Sequence, residues 1–325
     1  MATSVYMNIV DCVKGTVMNT GAQKCPLKIE QIIGAILVPK GSYLTSAQML
    51  ALKTSIETNT QSATESTRWF PIQGFIGVED KSTNTQTEST QYGGMKIGAD
   101  GKYFWVFEHD GGLTSHNIYY SFHDKQADYD AYFIDGKVWG KGAIIGNELG
   151  DDGNLYPFDL EMILVDTYKI GGQNADKGTI GFQLMDSNDV NKNIAFCPFP
   201  PEYRPTSVTG LEHTHLAATT QMNLASSTVS VTLQWLGETT NLYDRYSSSI
   251  SSLVKVYNSS GSQVTTSAIT LVPGSKSFTV AMSTSSNPNL TGAGTYLTFK
   301  ISMADLSTAS IVGVANCELS VIRTT

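Results

Sequence analysis

TVSVTLQWL, residues 228–236, alternates apolar and polar side chains without a break. Val229, Val231, Leu233 and Trp235 fall on one side, and Ser230, Thr232 and Gln234 on the other. A period of two is the signature of a half-buried β-strand, because successive side chains point to opposite faces of the pleat. Similar runs follow at 252–257 (SLVKVY), 267–272 (SAITLV), 276–282 (KSFTVAM), 295–303 (TYLTFKISM) and 311–322 (IVGVANCELSVI). Turn sequences separate them: NSSGSQ at 258–263, PGS at 273–275 and NPNLTGAG at 287–294. Short strands at this spacing predict an antiparallel sandwich of the immunoglobulin type. The lone Cys317 excludes the inter-sheet disulfide of antibody domains, which many such sandwiches lack. Ser and Thr fill roughly a third of the last 120 residues, as solvent faces of uncharged strands require.

Upstream, CPFPPEYRPTSVTG (197–210) carries Pro198, Pro200, Pro201 and Pro205. Proline stops helices and removes ladder donors, so this stretch predicts a stiff connector. The charge divides at the same place. From residue 206 onward five acids balance five bases, leaving 24 acids, 16 bases and the entire net charge of -8 in the part before it. The expected organisation is a β-rich assembly domain over 1–200, a Pro-rich linker over 201–221 and an Ig-like sandwich over 222–325.

The first part reads as mostly β with one helix near 46–57. In YLTSAQMLALKTSIET, Thr45 and Gln48 have capping-box spacing, and Met49, Leu52 and Ile56 recur at helical intervals. WFPIQGFIGVE, KYFWVFE, NIYYSFH, DYDAYFID, KVWGKGAII, FDLEMILVDTYKI and TIGFQLMD are rich in aromatic and β-branched residues and predict strands. Asp100-Gly101, Asp110-Gly111, Asp135-Gly136 and Asp152-Gly153 predict tight turns. The segments 57–67 and 79–91 are polar and uncharged enough to predict loops of the kind that contact partners.

Composition narrows the function classes. Only 15% of residues are charged against 41% hydrophobic, so a packed core is expected and wholesale disorder is excluded. The acidic balance argues against nucleic-acid coating, which needs clustered Lys and Arg. The densest apolar run, Ile32–Val38, falls far short of the ~20 residues of a spanning helix, and MATSVYMNIVDCVKG lacks the pattern of a signal peptide. Cys12, Cys25, Cys197 and Cys317 do not make a disulfide framework.

No catalytic constellation is legible. GKVWGK (136–141) has one residue too few for a phosphate-binding loop, and predicts a hairpin turn. There is no G-x-S-x-G, H-E-x-x-H or C-x-x-C. His213 and His215 would share one face of a strand and could share a metal, against the alternative of an exposed linker. His109-Asp110 and Asp151-Asp152-Gly153-Asn154 offer oxygen ligands, against the alternative of surface turns. Trp69, Phe70, Phe104, Trp105, Tyr119, Tyr120, Phe133 and Trp139 suggest either a sugar-stacking platform or core. Asn258 and Asn289 stand in N-x-S/T contexts and are read as turns. No catalytic, cofactor-binding or metal residue is assigned, no cofactor is expected, and the chain is read as non-enzymatic.

GAILVPKGSYLTSAQMLALKTSIET (34–58), RWFPIQGFIGVEDKSTNTQTESTQYGG (68–94) and DYDAYFIDGKVWG (128–140) together resemble uncharacterised structural proteins of phages of Bacteroides-type gut bacteria, crAss-like phages included. The resemblance spans roughly residues 30–200. A β-rich domain followed by an Ig-like one is also similar to the domain order of some phage tail-tube and head-decoration proteins. The resemblance implies a virion component assembled in the host cytoplasm, either a tail or connector ring or tube subunit or a head-associated auxiliary protein. The implied partners are further copies of the chain and other virion proteins, with host glycan contact through the C-terminal domain. Neither a membrane nor sequence-specific nucleic acid is expected as a partner. A carbohydrate-binding or carbohydrate-active sandwich protein is the alternative.

Overall fold

The computed structural model describes residues 29–89, 93–109, 111–169, 177–190, 194–225, 227–237, 240–286, 290 and 296–322. Cys12, Cys25, Asp110, Asn289 and the side chain of Trp139 lie outside the described residues. Strands account for 44% of the structure and helices for 20%, so the protein is mainly β. It divides into two compact units, 1–60 with 66–210, and 61–65 with 211–325.

The first unit is built on a five-stranded antiparallel sheet in the order β13 (Ala195–Pro198), β8 (Ala143–Gly146), β7 (Tyr129–Asp135), β1 (Ile32–Pro39) and β2 (Phe70–Gln73). Both edge strands contain a proline, Pro198 and Pro71, where the missing N–H costs no ladder bond. The interior strand β1 is buried on both faces, which explains why its run Ile36-Leu37-Val38 is continuous rather than alternating. Ala35 and Leu37 pack with Phe133, Trp105, Phe107, Ile180 and Phe182 toward the second sheet. Ile36 and Val38 pack on the opposite side with Tyr132, Met49, Leu52 and Ile56.

Those last three come from two helices, α1 (Ser46–Leu50) and α2 (Leu52–Thr60). The capping box is present: Gln48 N–H donates to Thr45 Oγ1 and Thr45 N–H donates to Gln48 Oε1. A break at Ala51 (φ -110, ψ 43) separates the two helices. The second sheet runs β11 (Leu160–Val165), β12 (Gly178–Leu184), β6 (Phe104–His109) and β3 (Phe75–Asp80). A short hairpin of β9 (Glu148–Leu149) and β10 (Leu155–Tyr156) leads from β8 toward it. NIYYSFH does not form a strand. Residues Gly112–Tyr120 are a helix, α3, and the chain turns at Phe122 and His123. His116 and Phe122 are buried there, so packing onto the sheet overrides the strand preference of the aromatic residues.

The proline-rich stretch is not a free connector. Phe199, Tyr203 and Val208 belong to the helix-side core of the first unit, and Pro205 is buried. Further along, β14 (His215–Ala218) is already a strand of the second unit. That unit has two antiparallel sheets. One runs β14, β16 (Thr228–Leu236), β20 (Ser277–Ser283) and β19 (Thr266–Val272), with β15 (Asn223–Ala225) also paired to β16. The other runs β18 (Gln263–Val264), β17 (Val254–Asn258), β21 (Tyr296–Ile301) and β22 (Cys317–Ile322). Both sheets bury one face in a single core. Val229, Val231, Leu233 and Trp235 of β16 meet Val256, Phe299 and Ile301 of the facing sheet.

Candidate assembly surface

Within the segment 79–91, expected as a polar loop, the described residues up to Ser89 extend the second sheet by backbone hydrogen bonds and end in a short strand. Beyond Asp80, which pairs with Trp105, Lys81 N–H donates to Phe104 O (2.8 Å) and Thr83 N–H to Lys102 O (2.9 Å). Gln86 N–H donates to Ala99 O (2.9 Å), and Gly98 N–H to Gln86 O (2.8 Å). The ladder ends in a two-stranded hairpin of β4 (Thr87–Ser89) and β5 (Met95–Ile97), whose six residues are all exposed. Asp100-Gly101 is therefore no turn. Gly101 lies in the stem of this arm, where an added Cβ would meet Thr83 O at 2.0 Å.

Register places Thr87 opposite Ile97 and Ser89 opposite Met95. Met95 and Ile97 share one face of the hairpin and are 82% and 69% exposed. At the base of the arm, β3 is the edge strand of its sheet, with a bulge between Phe75 and Gly77, and it carries Ile76 and Val78. These two are 54% and 59% exposed. They line a groove of ≈ 350 Å³ whose floor includes Phe75 and Trp105 and whose rim carries Glu30 and Asp80. An isolated two-stranded hairpin is marginally stable in water, and an exposed strand edge is a template for another chain. Chemically, this arrangement offers apolar contact and strand pairing.

The residues singled out in the sequence are placed as follows. His213 and His215 are exposed on the same side of the chain, alternating with buried Thr214 and Leu216. No group of three His, Cys, Asp or Glu among the described residues is arranged to hold a metal. Asp151–Asn154 forms a surface turn in which Asp152 accepts from Asn154 N–H (3.0 Å) and Tyr156 O–H (2.8 Å). Those bonds hold the Asp152 carboxyl below the usual carboxylate range. GKVWGK joins the antiparallel strands β7 and β8. Trp69, Trp105 and Phe133 are core, and Tyr120, 57% exposed, stacks on His123. Asn258 holds a turn by accepting from Ser260 and Ser262 N–H groups. Cys197 and Cys317 are free and buried, and burial pushes the Cys197 thiol up to about 12.

Two clusters carry no legible sequence signal. His109 and His116 are buried, with ring centroids 5.6 Å apart and planes 21° from parallel. Tyr119 and Tyr168 pack against them. The pair is brought together by β6 and α3 over Gly178, so spacing of seven in the chain says nothing of the contact. Around Asp189, burial and the carboxylates of Asp186, Asp159 and Glu148 push the carboxyl up to about 7, against a hydrogen bond from Asn147.

No helix among the described residues is long and apolar enough to cross a membrane. No protein-family model matches the chain, and no curated protein matches it.

Proposed function

We propose that this chain is a non-enzymatic structural subunit of a tailed bacteriophage virion that assembles with copies of itself. The observation that carries the reading is the arm, a hydrogen-bonded hairpin whose Met95 and Ile97 are exposed and unpacked within the chain. Exposed apolar side chains on an extended strand pair mark an interaction surface. The sequence phrases that resemble gut-phage structural proteins lie in the same unit. The sheet orders of the second unit support an Ig-like sandwich: β14-β16-β20-β19 opposite β18-β17-β21-β22 follows the A-B-E-D and C-F-G arrangement of that fold with one extra edge strand. The concentration of the net charge of -8 before residue 206 suits a ring or tube around a polyanion, where like charge prevents sticking.

Negative-stain microscopy of the purified chain, with immunogold labelling of particles, tests the reading. Rings, tubes or particle-bound copies are expected. A chain that stays monomeric at every concentration and is absent from particles overturns it.

A further inference from the structure

We propose that the segment 1–28 lies along the free edge of β3 in its own chain, its run 5–13 adding a fifth strand to the second sheet and covering the groove. This covering is independent of whether copies of the chain assemble. Among the described residues, β3 is hydrogen-bonded to β6 on one side and forms no ladder on the other. An open edge of this kind accepts an extended segment by backbone pairing, and apolar side chains beside it supply contact area. Here those side chains are Ile76 and Val78, each more than half exposed, beside Phe75 and Trp105.

The chain itself leads into this groove. Ile29, Glu30, Gln31 and Ile32 line it opposite β3, and Ile29 and Ile32 pack on the same core as Phe75 and Trp105. The 28 residues before Ile29 therefore start from the groove wall. Their run VYMNIVDCV (5–13) holds Val5, Tyr6, Ile9, Val10 and Val13, which favour strands, and Asp11 is its only charge. Extended, that run covers ~30 Å, enough for the ~20 Å of β3. The connection 14–28 spans at most ~50 Å, and Gly15 and Gly21 allow it to reverse direction. A tether of this length holds the strand at an effective concentration on the order of mM. Below that concentration the chain's own segment outcompetes a second copy's. Charge agrees with the placement. Glu30 and Asp80 line the groove with no base, and the neighbouring Glu79 is paired with Lys81 (3.2 Å). Across 1–28, Lys14, Lys24 and Lys28 stand against the single acid Asp11, a net charge of 3 − 1 = +2.

Hydrogen exchange on the full chain tests the placement, with two double variants: Met7→Glu with Ile9→Glu, and Ile76→Glu with Val78→Glu. Each pair sets new negative charge against an acidic groove. Ile76 and Val78 are exposed, so circular dichroism of the second variant should match the parent. In the parent, at a concentration where sedimentation velocity shows a monomer, amides of 5–13 should exchange at least about tenfold slower than in an unstructured chain. Both variants should release them. The first variant should also speed exchange in β3 by about tenfold or more, while β6 and β12 keep their protection. Free exchange of 5–13 in the parent overturns the proposal, as does protection that survives both pairs of substitutions. Release of 5–13 with no change in β3 places the segment elsewhere and overturns it too. Protection found only in oligomers shows that the segment crosses to a neighbouring copy, which overturns its placement on its own chain.

Discussion

Asp189 is 6% exposed and lies within the field of three other carboxylates. Desolvation leads its upward shift to about 7, whereas an unfolded aspartate titrates near ~3.9. Between those values the folded state holds a proton that the unfolded state has released, so this group's contribution falls as pH rises from about 4 to about 7. Above 7 the folded state carries the buried charge at full cost. Asp189→Asn should therefore leave stability unchanged near pH 4 and raise it near pH 8, by at most ~4 kcal/mol. Urea unfolding at the two pH values measures the difference, and an equal effect at both would show that desolvation of the charge is not the cause. Gly178 makes a different demand. An added Cβ would lie 2.3 Å from His109 Nε2 and 2.6 Å from His116 Nδ1, inside a buried ring stack. Gly178→Ala should cost about 1–3 kcal/mol, read as a lower Tm by calorimetry, while Gly41→Ala, with open space around it but a φ of +79, should cost only backbone strain. Neither cluster announces itself in the sequence, because Asp159, Glu148 and Asn147 are distant from Asp189 in the chain and the seven-residue interval from His109 to His116, across a strand and a helix, follows no spacing rule.

Elements with one buried face are readable from their period, elements with two only from their composition, as DYDAYFID is for β7, and elements with no buried face from neither. TVSVTLQWL alternates because β16 has a core on one side and solvent on the other, and the Thr45/Gln48 box is legible because a helix start is a local event. The arm gives no such signal since both of its faces are wet: TNTQTEST has no apolar stripe to betray its period, only the strand preference of threonine. Asp-Gly pairs are equally ambiguous. Asp152-Gly153 makes the expected turn, with Gly153 at φ +76. Asp135, by contrast, is a buried hub whose carboxylate accepts from the N–H groups of Gln31 (3.0 Å), Lys137 (2.7 Å) and Val138 (2.8 Å). At the arm, Gly101 is the position where the ladder is most vulnerable. Gly101→Val sets a side chain against Thr83 O, a backbone atom that cannot step aside. Hydrogen exchange should then lose protection at Gln86 and Gly98 while the core strands β1 and β7 keep theirs. Unchanged protection in the arm would mean that its ladder is held by contacts other than those in register.

At the scale of the whole molecule, the division into units does not follow the chain once but three times, at 60/61, 65/66 and 210/211. The polar segment 57–67 supplies the crossing. Its first residues complete α2, and Gln61 then belongs to the second unit, buried to 6% exposure. There Gln61 Oε1 accepts from Gly313 N–H (2.9 Å) and Gln61 Nε2 donates to Val314 O (3.3 Å). One amide side chain thus satisfies two backbone groups of a turn that is otherwise held by Glu212, whose N–H donates to Gly313 O (2.8 Å) and whose O accepts from Ala315 N–H (2.9 Å). Leaving buried backbone groups unpaired costs about 1–3 kcal/mol, so Gln61→Ala should destabilise the second unit by that amount although residue 61 lies 150 residues upstream of Leu211. The same dependence extends to the second unit in isolation. A fragment over 211–325 lacks Gln61 and should unfold at lower denaturant than the same residues within the full chain. Exchange mass spectrometry on the parent and on Gln61→Ala locates the effect: protection should fall around β14 and β22 and hold in β1 and β7. A uniform loss in both units would show instead that the crossing is needed for the fold of the whole chain, and the two units would then have to be treated as one cooperative body.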